Sequence, residues 1–407
     1  MAAPAQRITF TGSSGAELAG RLDLPAGPAK AFALFAHCFT CSKDGVASGR
    51  VAAELNACGI GVLRFDFTGL GASGGDFANT DFSSNLEDLR RAAAWLREHH
   101  RAAQLLVGHS LGGAAMLAVA PDLPEVRAVA TIGAPADVGH LTHLFADRLG
   151  EIETGGRAAV EIGGRSFTVR RELLDDLGRH PLDERLAATR TALLLMHSPV
   201  DEVVSVDHAA RLFAAARHPK SFVAIDGADH LLSSRADAVF AARTIATWAE
   251  RYLVDENPPA AVPAPSAQVV VAETGLGTFL NHVVAGDHRL VADEPVSVGG
   301  FDAGPSPYDL LSGALGACTS MTLRLYADRK GLALDRILVE VSHGKGHADD
   351  CATCTDGGVA QIDRFERRIH LTGTLDDAQR AALLRIADKC PVHRTLENRS
   401  HIVTTLA

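Results

Sequence analysis

Residues 104–120, QLLVGHSLGGAAMLAVA, constrain the first half of the chain more than any other segment. An apolar run that suits a buried strand stops at Gly108, and an Ala-rich run of helical character opens after Gly112-Gly113. Small residues on both sides of Ser110 permit a turn sharp enough to push its hydroxyl clear of the backbone. The helix N-terminus behind that hydroxyl favours developing negative charge. A glycine-rich turn could be built from the same residues, but it would not require a strand before it and a helix after it.

The surrounding pattern repeats this strand-to-helix rhythm. The run AFALFAH, a helix around 51–58, the run GVLRFD, a helix around 86–99 and the run QLLVGHS alternate, which implies parallel βαβ units with helices on both faces of a sheet. Residues 7–10 and 18–22 read as an antiparallel lead-in. Residues 137–190 interrupt the alternation with a charged, mostly helical insertion where a lid would cover a site at the strands' C-terminal ends.

At 407 residues the chain is too long for one ordinary core, and roughly 100–200 residues per domain implies two. Residues 255–268, DENPPAAVPAPSAQ, carry four prolines among Ala and Ser and read as a linker that buries nothing. The expected domains are therefore 1–254, a doubly wound, mostly parallel α/β sheet with a helical lid at about 137–190, and 269–407. The second begins with strand-like VVVAE, TFLNHVV and HRLVAD, then a long helix over 307–331. Strands RILVEVSHG and DRFERRIHLTG and a helix over 376–389 complete an α+β arrangement.

A hydrophobic content of 47% with 22% charged residues suits a globular protein, and a net charge of -10 argues against nucleic-acid binding, which needs clustered Lys and Arg. The start MAAPAQRITF lacks a basic segment followed by an apolar run, and no apolar run of about 18 residues follows, so a cytoplasmic protein with no membrane partner is expected. Seven cysteines, an odd number in a long chain, suit reduced thiols better than a disulfide framework.

A serine hydroxyl is a weak nucleophile near neutral pH, so a base must take its proton and an acid must orient that base. Asp201 follows the strand ALLLMH and His230 follows SFVAI, both at strand ends and in the order Ser, Asp, His. Glu202, Asp207 and Asp229 compete as acids, and His197 or His208 as imidazoles. The Leu111 N–H is one expected donor to an oxyanion at Ser110.

These residues resemble the α/β-hydrolase superfamily over nearly all of 1–254, including Asp66-Phe67-Thr68-Gly69-Leu70-Gly71-Ala72-Ser73, which is similar to the family's DxxGxGxS loop. The resemblance implies a serine hydrolase cleaving small-molecule esters through Ser110, His230 and Asp201. His37-Cys38-Phe39-Thr40 is similar to the family's HG-x segment, which implies Phe39 N–H as the second oxyanion donor, with Cys38 standing where the family has glycine.

In the second domain Cys318 follows Leu315, Ala314 and Leu311 at helical spacing and Cys390 follows Ile386 and Leu383, so both thiols are expected to face inward, as core hydrophobes or as reactive groups. The segment GPSPYDLLSGALGACTSMTLRLYADRKG with KCPVHRTL resembles the OsmC-like and organic-hydroperoxide-resistance family across the whole domain. The resemblance implies a thiol peroxidase in which Cys318 reduces an organic hydroperoxide and Cys390 resolves its sulfenic acid, with a dithiol reductant, no cofactor and a homodimer. A non-catalytic dimerisation or ligand-binding module is the alternative, because Ser306-Pro307-Tyr308 replaces the family's Asn-Pro-Glu and AETGLGTF has no arginine. Arg289, Arg324 and Arg394 are candidate substitutes for that cation. His343, His347, Cys351 and Cys354 offer zinc-ligand residue types, but at no finger's spacing, and read as a polar loop that holds no metal.

Overall fold

The apolar runs of the first half are strands of one sheet in the computed structural model, which describes residues 5–38, 41–162, 165–255, 258, 268–347 and 361–406. The chain divides into two units, Met1–Pro259 and Ala260–Ala407.

In the first unit the chain runs β1 (Gln6–Thr11), β2 (Glu17–Asp23), β3 (Ala31–Ala36), α1 (Val46–Ala57), β4 (Ile60–Phe65), α2 (Phe82–His99), β5 (Ala103–His109), α3 (Leu111–Val119) and β6 (Ala128–Ile132). After an insertion holding α4 (Leu149–Gly155), β7 (Arg157–Ile162), β8 (Arg165–Arg170), α5 (Arg171–Leu177) and α6 (Leu182–Ala188) come β9 (Ala192–His197), α7 (Asp207–Ala215), β10 (Lys220–Ala224) and α8 (Arg235–Glu250).

The described strands form an eight-stranded sheet in the order β1-β2-β4-β3-β5-β6-β9-β10. The lead-in is antiparallel, from β1 to β2 and from β2 to β4. All later pairings are parallel. The central strands are buried on both faces, which is why they read as unbroken apolar runs. Successive side chains on β5 point to opposite faces: Leu106 joins the core under α2 and α3, and Leu105 the core under α1 and α8.

The insertion carries the expected helices and also a hairpin, in which Val160 pairs with Phe167 and Ala158 with Val169. Its period of two, with Ala158, Val160 and Ile162 buried between exposed neighbours, is that of a half-buried strand.

In the second unit β11 (Val269–Glu273), β12 (Asn281–Ala285) and β13 (His288–Ala292) form an antiparallel sheet. Helix α9 (Pro307–Lys330) is followed by the long antiparallel pair β14 (Ala333–His347) and β15 (Gln361–Thr374), then by α10 (Asp377–Ala387) and α11 (Pro391–Glu397). Ser306 and Asp309 cap α9 reciprocally, and Gly331, at φ 62°, ends it. The wholly buried stripe of α9 is Leu315, Thr319, Leu323 and Ala327, not the face centred on Leu311 and Ala314; Ala314 is exposed and Cys318 lies on the stripe's flank, half-buried. Among the described residues no helix is long and apolar enough to cross a membrane.

Candidate active site

Three strand ends bring Ser110, His230 and Asp201 together. The Ser110 hydroxyl donates to His230 Nε2 across 2.9 Å, and His230 Nδ1–H donates to Asp201 Oδ2 across 2.7 Å. Ser110 lies between β5 and α3 at φ 55°, ψ -125°, a conformation that a non-glycine residue adopts only when its surroundings enforce it. The enforcing contact is close backbone packing: a Cβ at Gly108 would stand 2.4 Å from the Gly112 carbonyl oxygen. One at Gly112 would stand 2.4 Å from that of His37.

Asp201 is held on its other side as well. Its Oδ1 accepts from the amides of Val203 and Val204, both at 2.9 Å. Burial alone would raise this carboxyl, but the bond from His230 and those two amides hold it below the usual carboxylate value. An ionised Asp201 fixes the His230 tautomer with Nε2 free to accept the serine proton. Beneath the pair, Gly133 at φ 58° would place a Cβ 3.3 Å from Asp201 Oδ2 and from His230 Nδ1.

The competing groups lie elsewhere. Glu202 and Asp207 face solvent. Asp229 accepts from the Ser233 amide, and His208 Nδ1 accepts from the Ala136 amide. His197 is buried 3.6 Å from Asp201, with Nε2 bonded to the Val204 carbonyl. The sequence reading passed over His109, which is buried with Nε2–H donating to the His230 carbonyl at 2.6 Å. Burial, reinforced by the neighbouring His230, pushes the His109 imidazole down to about 4, so it is neutral at ordinary pH.

Leu111 opens α3, so its N–H has no acceptor within the helix. Phe39, expected to supply the second donor, lies outside the described residues. The cysteines bracketing it correct the expectation of reduced thiols: Cys38 and Cys41, with Cα atoms 5.3 Å apart, form a disulfide. A cavity of about 320 Å³ is walled by that disulfide, His37, His109 and the apolar Phe35, Val51, Ile132 and Leu232. A second, of about 420 Å³, is lined by Val200, Val203, His230 and Leu231. The 137–190 insertion lines neither cavity.

In the second unit Cys390 is wholly buried and Cys318 is in hydrogen-bond contact with it. Cys390 Sγ accepts from the His393 amide at 3.4 Å and from the Thr319 hydroxyl at 3.7 Å. Burial pushes this thiol up, but the hydrogen bonds from His393, Cys318 and Thr319 outweigh it and leave the thiol below its ordinary value. Of the candidate cations, Arg289 and Arg394 face solvent and Arg324 donates to the Leu334 and Asp335 carbonyls. Arg367, which the sequence reading did not single out, donates to Thr319 Oγ1 at 2.8 Å. Period-two alternation on β15 sets it on one face with Phe365, Ile369 and Leu371, all partly buried. Tyr308 stacks on His343, centroids 4.1 Å apart, and His343 hydrogen-bonds Asp363. Cys351, Cys354 and the His347 side chain lie outside the described residues.

The family model described as serine aminopeptidase, S33, matches residues 28–154, and that of OsmC-like proteins matches residues 300–405. The crystal structure of the esterase domain of a Rhodothermus marinus protein is 47% identical, covers 62% of this chain and all of that one, and superposes with a TM-score of 0.52. Mouse alpha/beta hydrolase domain-containing protein 10, at 22% identity, shares the fold over 60% of this chain and 99% of its own, with a TM-score of 0.51. An uncharacterized Mycobacterium tuberculosis protein is 26% identical over 186 residues, 44% of this chain, which spans 56% of that protein's length. The uncharacterized protein YfhR of Salmonella typhimurium is 26% identical over 56% of this chain and 75% of its own.

Proposed function

Because the chain belongs to the α/β-hydrolase superfamily through its first unit and carries an OsmC-like domain in its second, we propose that it is a bifunctional enzyme, an esterase fused to a thiol-dependent hydroperoxide reductase. The observation that carries the esterase is the unbroken chain of hydrogen bonds from Ser110 through His230 to Asp201. His230 takes the Ser110 proton as Oγ attacks the acyl carbon of a small-molecule ester, and the Leu111 N–H, joined by that of Phe39, stabilises the oxyanion. The imidazolium then protonates the leaving alcohol, and a water activated the same way releases the acid. Nitrophenyl esters hydrolysed by wild type and not by Ser110→Ala support this reading; equal rates in both proteins remove Ser110 from the mechanism.

In the second unit the Cys318 sulfur attacks the terminal oxygen of a hydroperoxide, the O–O bond breaks, and the Cys318 thiol proton passes to the departing alkoxide, which leaves as an alcohol. Cys390 condenses with the resulting sulfenic acid, releasing water, and a dithiol reduces the disulfide. The contact between the two sulfurs supports this assignment. Cumene hydroperoxide consumed with a dithiol by wild type and not by Cys318→Ser is the expected result; no consumption by wild type refutes it. The proposed protein is a cytoplasmic homodimer joined through its OsmC-like domain.

A further inference from the structure

A thiol with no solvent contact is ordinarily protonated, since burial disfavours the charged form. Cys390 has no exposed surface, yet three donors converge on it from two elements. The His393 amide reaches it from α11, the Thr319 hydroxyl from the buried stripe of α9, and Cys318 from that stripe's flank.

Thr319 is the pivot. Its hydroxyl has one proton, and that proton has two acceptors: the Leu315 carbonyl at 2.8 Å and Cys390 Sγ at 3.7 Å. Arg367 Nη1 donates to Thr319 Oγ1, which raises the positive potential at the hydroxyl without competing for Cys390. The guanidinium cannot turn away, because Nη1 also donates to the Ala387 carbonyl and Nη2 to Asp388. Asp388 is 63% exposed while Arg367 is 11% exposed, so water screens the carboxylate more than the cation. The buried end of this pair is therefore net positive, on the side of Thr319.

We propose that Arg367 acts through Thr319 to hold Cys390 as a thiolate, so that the sulfur that closes the disulfide is ionised before its partner is oxidised. The other titratable groups around Cys390 do not supply that role: Cys318 is a proton donor to it, and His393 on α11 is paired with Glu397. Cys390 is then the resolving nucleophile. With the Cys318 sulfenic acid formed by an organic hydroperoxide, Cys390 S⁻ attacks the Cys318 sulfur, the S–S bond forms, and the S–O bond breaks. Hydroxide leaves and takes a proton to become water. Across the cycle the Cys318 thiol and the Cys390 thiolate lose two electrons and one proton, a second proton comes from water, and the hydroperoxide becomes alcohol and water. The resolving step rests on the peroxidase reading above; the ionisation of Cys390 does not.

The test uses the full chain. The ultraviolet absorbance of the thiolate, followed across pH as the difference between the full chain and its Cys390→Ser variant, reads the thiolate fraction without a reagent having to enter the core. In wild type the midpoint is expected below the ordinary thiol value of about 8.5. Thr319→Val, nearly the same shape without the hydroxyl, and Arg367→Met are expected to move the midpoint up by about one unit or more, and Arg367→Lys to restore part of the shift. A merely structural role for either residue does not move that midpoint. The same midpoint in wild type and in Thr319→Val overturns the proposal. In a second arm, one equivalent of cumene hydroperoxide is added with a dimedone trap, and Thr319→Val is expected to accumulate the Cys318 adduct at the expense of the disulfide. A wild type that consumes no hydroperoxide sinks the peroxidase reading, and the absorbance profile still decides the thiolate.

Discussion

His109 shows how much of the Ser110 site is held by groups that do no chemistry. Its neutral imidazole donates to the backbone carbonyl of His230 and so fixes the loop that carries His230. The cost of that choice is a pH dependence. With the folded value near 4 against an ordinary 6.5, the unfolded chain binds a proton between those values that the native state refuses. Stability of the first unit therefore falls as pH drops from 6.5 towards 4, by about 3 kcal/mol at full extent. In urea titrations across that window His109→Gln, which keeps a donor and loses the titration, is expected to flatten the fall. Parallel curves for the two proteins would show that the loss arises elsewhere. The side chain was open to view in the sequence as the residue before Ser110, but its partner is a backbone atom 121 residues away, and nothing local announces that pairing.

The turn between β5 and α3 works because two elements approach closer than side chains allow. The virtual Cβ of Gly108 meets only backbone, at 2.4 Å from Gly112 O and 2.5 Å from Gly113 Cα, and backbone cannot rotate away. Gly108→Ala should destabilise the first unit by about 3 kcal/mol, read as a drop in its urea midpoint. Gly150→Ala in α4, where nothing lies within 4 Å, should instead raise that midpoint, by up to about 1 kcal/mol of added stability. A Gly108→Ala midpoint equal to that of wild type would mean the strand and helix can separate at little cost. This turn was legible because strand, turn and helix fall within one short run of sequence, as were the strands that carry Asp201 and His230. The hairpin of β7 and β8 was not: its buried residues, Ala158, Val160 and Ile162, form too short an alternation to outweigh the helix-forming Glu, Arg and Leu around it. Arg367 was hidden for a related reason, since a charged residue on the inward face of β15 reads as one more charge in DRFERRIHLTG until its partners on α9 and α10 are in place. The disulfide escaped because C-x-x-C spacing fits free and paired thiols alike.

At the scale of the whole molecule the two units differ in how much core each possesses. The first buries apolar side chains on both faces of its sheet, in clusters whose members all precede residue 254. In the second the buried cluster is Leu323, Ala327, Leu334, Leu383 and Ala387, which is little for a helix as long as α9 and a strand pair as long as β14 and β15. Its exposed apolar side chains include a group on two helices: Met321 and Leu325, one turn apart on α9, are 71% and 52% exposed, and Leu384 on α10 is 62% exposed. A surface of that kind on a unit with so small a core is expected to be covered by a second copy, which supplies the burial the single chain lacks. Sedimentation at micromolar concentration should therefore give a dimer, and Met321→Glu combined with Leu325→Glu should give a monomer whose second unit melts earlier. Ester hydrolysis by that variant should stay within about twofold of wild type, because Ser110, His230 and Asp201 all belong to the first unit and bond to one another there. A monomeric wild type would leave those side chains in water and require some other source of stability for α9. Loss of esterase activity on dissociation would instead mean that the Ser110 site depends on the partner copy.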